Sequence, residues 1–254
     1  MICDQDLPGG DISFSIRSVR QGELGENPFS VMVALSGLPQ HHKVHSLVNA
    51  GVDDLISLPV APQALVTRIL GLVNRRRPFV VTSDYTGPDR RRVSRHHPSA
   101  PGLLLDVPNT LRLKAAGQYD QGLALRAIAT MRAVVDQRRK ARHAERVVQT
   151  AVSLLPQLRA GYLTDEERAQ VRRVALLAGD VGRHHAAGPD TMAANLCATL
   201  CDVTDRLDDA TPQAQDVQTF EKLVVAFDRL FNGGGETPMT AALATAVRQS
   251  SDPA

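Results

Sequence analysis

The sequence predicts two unlike parts, an α/β unit with a parallel sheet and an all-helical bundle, and three observations carry that prediction. Residues 1–77 alternate short apolar runs with stretches of helical spacing. Residues 78–103 combine four prolines with turn formers and a dense run of arginines. From about residue 104 the apolar spacing is helical throughout. The expected organisation is therefore an α/β domain over 1–77, an extended linker over 78–103 and a helical bundle over 104–250.

Ile2-Cys3-Asp4 ends a short strand before a Pro8-Gly9-Gly10 turn. Val31-Met32-Val33-Ala34-Leu35 is a continuous apolar run of buried-strand length, and Asp54-Leu55-Ile56-Ser57-Leu58 resembles another. Between them Val44, Leu47 and Val48 form a helical stripe closed by Gly51. After Pro59, the residues Leu65, Ile69, Leu72 and Val73 repeat at helical spacing up to the triplet Arg75-Arg76-Arg77. Strand, helix, strand, helix at this rhythm implies a parallel sheet with helices on its faces. Phe79-Val80-Val81 is a further short extended stretch within the linker.

The helical half starts with apolar spacing over 121–159, expected as one long helix or as two that break near Gln137–His143. Thr164-Asp165-Glu166-Glu167 is a capping box, in which the threonine oxygen accepts from a free backbone N–H and the glutamate reaches back. Thr211-Pro212 and Thr237-Pro238 each place a capping residue before a proline at a helix start. Gly161, Gly188 and Gly233-Gly234-Gly235 punctuate helix ends, giving about five helices.

The 254 residues are 43% apolar and 4% aromatic, too apolar for wholesale disorder. No run reaches the roughly 18 apolar residues of a membrane span, so no membrane partner is expected. Aspartates near the start argue against a signal peptide, and three cysteines (Cys3, Cys197, Cys201) give no disulfide framework. A reducing cytoplasm is the expected location. The net charge of +2 conceals a basic middle, with 10 Lys+Arg against 4 Asp+Glu over 104–159, and an acidic end, with 8 against 14 over 160–254. Seven arginines lie between 75 and 95, without the aromatic or glycine pattern of a nucleic-acid module. A nucleic-acid-binding regulator remains a rival reading through these arginines and Arg138-Arg139-Lys140-Arg142.

Candidate chemistry concentrates in Asp4-Gln5-Asp6-Leu7-Pro8. A carboxylate at the carboxyl end of a strand sits where open parallel sheets bind ligands. The pair His41 and His45 shares a helix face, but no Asp, Glu or Cys nearby completes a metal set. His96-His97 and His184-His185 are adjacent pairs that diverge and chelate poorly. Cys197 and Cys201, four apart in an apolar stretch, read as small core residues. No phosphate loop, nucleophile elbow or zinc-protease pair occurs.

Three motifs in order resemble the receiver domain of bacterial response regulators. Asp4 precedes Pro8 by four residues, as that family's phosphorylated aspartate does. Val31–Gly37 resembles the next strand with its switch hydroxyl, Ser36, and Ala50–Val60 resembles the final strand and its proline junction. Arg76-Arg77-Pro78 through Arg92 resembles an extension found after such domains. The resemblance implies a flavodoxin-like parallel sheet that lacks its first two strands. It implies Asp4 as phosphoacceptor, Ser36 as the hydroxyl that reports phosphorylation, and Mg²⁺ held by Asp4 and the Asp6 carbonyl. It also implies a histidine kinase or phosphotransfer protein as partner, a further protein partner for the helical half, and a second copy of the chain as a candidate partner. The expected protein is a two-component regulator, not an enzyme in the ordinary sense.

The pattern departs from the family in three places. Leu58 stands where the family has a lysine, and Leu55 occupies the aromatic switch position. The acidic residues that complete the Mg²⁺ site belong to the two strand–helix units without counterpart here, so a longer parent chain or a second chain is expected to supply them. These departures support a rival reading, a degenerate receiver that acts as a protein-interaction adaptor without being phosphorylated.

Overall fold

The computed structural model describes residues 1–5, 11–37, 41–90, 104–186, 191–209 and 211–233. The chain divides into two compact units, Met1–Arg138 and Arg139–Ala254.

The first unit opens as expected. Strands β1 (Ile2–Asp4), β2 (Val33–Ser36) and β3 (Asp54–Ser57) form a parallel sheet in the order β1-β2-β3. Helix α1 (Ile12–Gln21) connects the first pair and α2 (His41–Ala50) the second, and α3 (Pro62–Asn74) follows β3. Because successive side chains of a strand face opposite ways, β2 and its approach sort their residues into two cores. Met32 and Ala34 pack with Ile16, Leu47, Ala50 and Val52 under α1 and α2. Val31, Val33 and Ile56 pack with Leu65 and Leu72 of α3 on the other face.

Residues 79–90 depart from the extended linker expected there. Strands β4 (Phe79–Val81), β5 (Thr86–Pro88) and β6 (Leu104–Leu105) form an antiparallel sheet in the order β5-β4-β6. Residues 91–103, the rest of that stretch, lie outside the described residues, as do His96 and His97. The small sheet is held because its aromatic and its neighbouring arginines are buried together. Phe79 is fully buried, with its ring edge-on to Phe29 at 6.1 Å between centroids. The guanidinium carbons of Arg20 and Arg76 stand 5.0 and 4.9 Å from the Phe79 ring centre. Gly51, which closes α2, has φ 95°, and a Cβ there would meet the Thr86 carbonyl oxygen at 2.8 Å.

The unit continues through α4 (Thr110–Ala115) and the first part of α5 (Gln121–Ala160). This moves the division away from the expected boundary at 103/104. Ile128, Met131, Val134 and Val135 of α5 pack on Phe29, Phe79, Val81 and Leu105, which ties this stretch to the small sheet. The basic segment near Gln137 does not break α5, which is one helix of 40 residues.

The second unit comprises the remainder of α5 with α6 (Asp165–Ala186), α7 (Thr191–Asp209) and α8 (Ala214–Phe231). From residue 104 on, five helices are described, α4 to α8, the number the spacing implied. Their core runs from Ala144, Val147 and Leu158 through Val174 and Leu200 to Phe220 and Phe227. The capping box forms as read: Thr164 N–H donates to Glu167 Oε2 at 2.8 Å, and Glu167 N–H donates to Thr164 Oγ1 at 3.3 Å. These bonds hold the Glu167 carboxyl below the usual glutamate range. Thr211 does not cap α8, which begins three residues later behind Gln213. Thr237-Pro238 lies outside the described residues, as do Gly188, Gly234 and Gly235. No helix among the described residues is long and apolar enough to cross a membrane.

Candidate functional site at the carboxyl edge of the parallel sheet

Asp4 closes β1 opposite Leu35, and Ser36 closes β2 opposite Ser57. The two sequence-predicted residues therefore end neighbouring strands at one edge. They are one step apart in register, so alternation assigns them to opposite faces of the sheet. Ser36 continues the Met32 and Ala34 side, under α1 and α2, and is completely buried. Its Oγ has no hydrogen-bond partner among the described residues.

Gln5 extends the same edge. Its N–H donates to the Leu35 carbonyl at 2.8 Å, so the parallel register continues and brings Gln5 beside Ser36. Gln5 is 8% exposed, and neither its Oε1 nor its Nε2 has a partner among the described residues. Nearby in sequence, Asp11 caps α1, its Oδ1 accepting from Ser13 N–H at 2.9 Å. Hydrogen bonds from the Ser13 backbone and hydroxyl hold the Asp11 carboxyl below the usual aspartate range.

A carboxylate, an amide and a hydroxyl thus gather at the end of the sheet where open parallel sheets take ligands. Buried polar groups without partners are uncommon, and each costs roughly 1–3 kcal/mol of desolvation. The Gln5 contribution was not foreseen. The signal was available, since a polar residue directly after a strand's last carboxylate falls on the inward face by alternation.

The expected Mg²⁺ set is not assembled by the described residues. No group of three or more His, Cys, Asp or Glu stands together among them. Asp6, whose carbonyl was expected as a ligand, lies outside the described residues with Leu7, Pro8, Gly9 and Gly10. Leu58 brings no ammonium to the edge, and Leu55 packs against the α1–α2 core. We derive no step through the metal.

The other candidates behave as core or surface. His41, His42 and His45 are exposed, and His45 Nδ1 lies 3.0 Å from Asn49 Nδ2. The side chains of His184 and His185 lie outside the described residues. Burial, with the neighbouring Cys201, pushes the Cys197 thiol up to about 12, so it stays a neutral core group at physiological pH. A cavity of about 510 Å³ lies elsewhere, between the end of α5 and the start of α8. Its charged lining is the ion pair of Arg159 and Glu221 at 2.7 Å, which is satisfied internally. We therefore place the candidate site at the strand edge.

No family model, curated protein or solved structure matched the chain.

Proposed function

We propose that the first unit is a receiver-like module of flavodoxin-like ancestry in a phosphorelay, with the helical unit as its output. Asp4 is the phosphoacceptor and Ser36 the hydroxyl that responds. One observation carries this reading: Asp4 and Ser36 end adjacent parallel strands at one edge, and the Ser36 hydroxyl is fully buried with no partner among the described residues. The donor is a phosphohistidine of a kinase or phosphotransfer protein. In the transfer, the P–N bond breaks as an Asp4 oxygen forms the new P–O bond, giving an acyl phosphate.

A second reading, the interaction adaptor, is favoured by Leu58 and by the lack of an acidic cluster among the described residues. The nucleic-acid reading loses part of its basis. Arg76 is engaged in an ion pair with Asp53 with its side chain 5% exposed, and Arg90 donates to the Val52 carbonyl. The test is intact-mass analysis of the full chain after incubation with phosphoramidate and Mg²⁺. Gain of one phosphoryl group that is lost in Asp4→Asn supports the phosphoacceptor. An unchanged mass overturns it and leaves the adaptor.

A further inference from the structure

The cavity of about 510 Å³ between the end of α5 and the start of α8 lies within the second unit. Leu158, Pro212 and Val217, all buried, give it apolar walls. Arg159 and Glu221 supply its charge.

That ion pair neutralises both charges, yet uses only part of each group's bonding capacity. Glu221 is 2% exposed, and Arg159 Nε and Nη2 both lie 2.7 Å from the same oxygen, Oε1. Glu221 Oε2 accepts no hydrogen bond among the described residues. A buried carboxylate ordinarily has both oxygens bonded, because removing a charge from water is costly unless its lone pairs are met. Arg159 turns its side edge to Glu221. Its end edge, Nη1 with the other Nη2 hydrogen, makes no bond among the described residues, and 44% of the side chain is exposed.

The start of α8 adds partial positive charge. Gln213, its N-cap residue, makes no side-chain cap bond, and Ala214 and Gln215 of the first turn line the cavity. Asp216, the acidic residue of that turn, is taken by Arg206 at 2.9 Å.

Charge balance selects the ligand class. A plain cation would meet Glu221 Oε2 but also Arg159 and the α8 end. A plain anion would meet Arg159 but also the Glu221 carboxylate. A wholly apolar molecule would seal Oε2 away from water without a donor. A positive and a negative group side by side on an apolar body suit every surface of the cavity. We propose that this cavity binds a free α-amino acid with an apolar side chain. The ammonium donates to Glu221 Oε2, the carboxylate accepts from the end edge of Arg159, and the side chain lies against Leu158, Pro212 and Val217. The site belongs to the helical unit and does not depend on Asp4 or on phosphorylation.

The test is isothermal titration calorimetry of the full chain with L-leucine and L-phenylalanine as probes. Isocaproate, which is leucine without its ammonium, and isoamylamine, which is leucine without its carboxylate, are the comparison ligands. Saturable binding of at least one amino acid is expected, with both comparison ligands weaker by about tenfold or more. Glu221→Gln keeps the side chain's size and an acceptor for Arg159. It is expected to weaken the amino acid by about tenfold or more with circular dichroism unchanged, and to leave isocaproate no weaker. Arg159→Lys keeps a cation for Glu221 but lacks the two-donor end edge, and is expected to weaken the amino acid several-fold. No saturable binding of either amino acid at millimolar concentration overturns the proposal. Isocaproate binding as tightly as leucine overturns it by assigning the cavity to anions, and isoamylamine doing so assigns it to cations. Unchanged amino-acid affinity in a folded Glu221→Gln overturns it as well. Should that variant fail to fold, the comparison of the three leucine-derived ligands on the unaltered chain decides alone.

Discussion

At the amino end of the parallel sheet, Asp53 has every carboxylate position filled. Its Oδ2 accepts from Arg20 Nη2 at 2.7 Å and from Met32 N–H at 2.8 Å, while Oδ1 accepts from Arg76 Nε at 2.8 Å. Arg20 in turn donates to the carbonyls of Gly51, Pro28 and Ser30. At the carboxyl end, Gln5 and Ser36 are both buried and have no side-chain partner among the described residues. The contrast separates two uses of buried polarity. A saturated charge network fixes how the small sheet and the helix ends sit against the strands, whereas the carboxyl edge buries an amide and a hydroxyl that have no partner among the described residues. Burial lowers the Arg20 guanidinium to about 10; Asp53 opposes that shift and the charge of Arg76 adds to it, so the residue stays charged at neutral pH.

The largest test of the contrast is Asp53→Ala. Removing the carboxylate leaves two buried guanidiniums facing each other, and a broken buried pair typically costs about 3–5 kcal/mol. Hydrogen-exchange mass spectrometry of β2 and β3 reads this locally, which matters in a chain of two units. Protection is expected to collapse in the first unit and to stay unchanged in α6 and α7. A loss below about 1 kcal/mol would mean that water replaces Asp53 and that the amino end is not saturated.

Gly51→Ala strains the same end without touching charge. The positive φ of 95° disfavours any Cβ, and that atom would sit 2.8 Å from the Thr86 carbonyl oxygen and 3.1 Å from Arg20 Cγ. A loss of about 1–3 kcal/mol is expected in the same exchange measurement. If Gly51→Ala instead leaves protection of β2 and β3 untouched, the small sheet is not fixed against this end.

How far this contrast was legible in the sequence depends on range. The strands, α2 with its Gly51 stop, α3 and the Thr164 capping box follow from spacing and local turn chemistry, and they stand where spacing put them. The arginine network does not follow from spacing. Arg20 looks like an ordinary charge at the end of α1, and its burial comes from Asp53, 33 residues away. Arg76 reads as the charged end of the α/β unit and Phe79 as linker for the same reason: their partners, Asp53 and Phe29, are distant in the chain. The division inside α5 was hidden too, because one apolar helical pattern serves two cores in succession. At the carboxyl edge Asp4 and Ser36 were legible from their place at strand ends. The unpartnered state of Gln5 and Ser36 was not, since a lone sequence does not show which buried atoms lack a partner.

Gln5→Met tests the carboxyl end from the other side. The thioether is close to the carboxamide in length and has no strong polar group to desolvate. Exchange protection of β1 and β2 is expected to rise by about 1 kcal/mol, the reverse of both changes at the amino end. A decrease would show that the amide does make bonds at rest and that the edge is already occupied.

Ser36→Ala is the finest probe, because it removes one oxygen and leaves the shape of the site nearly intact. For a bonded, fully buried hydroxyl the change costs about 1 kcal/mol, whereas for an unpartnered one it is neutral or a gain of up to about 1 kcal/mol. Neutrality or gain in β2 exchange is expected, together with an altered response of the helical unit if Asp4 proves to be phosphorylated. A loss of about 1 kcal/mol or more would place a bonded group, such as a buried water, on Ser36 Oγ in the resting protein. The two ends of the sheet would then be alike, and the buried hydroxyl would no longer single out the Asp4 edge as a site awaiting an oxyanion.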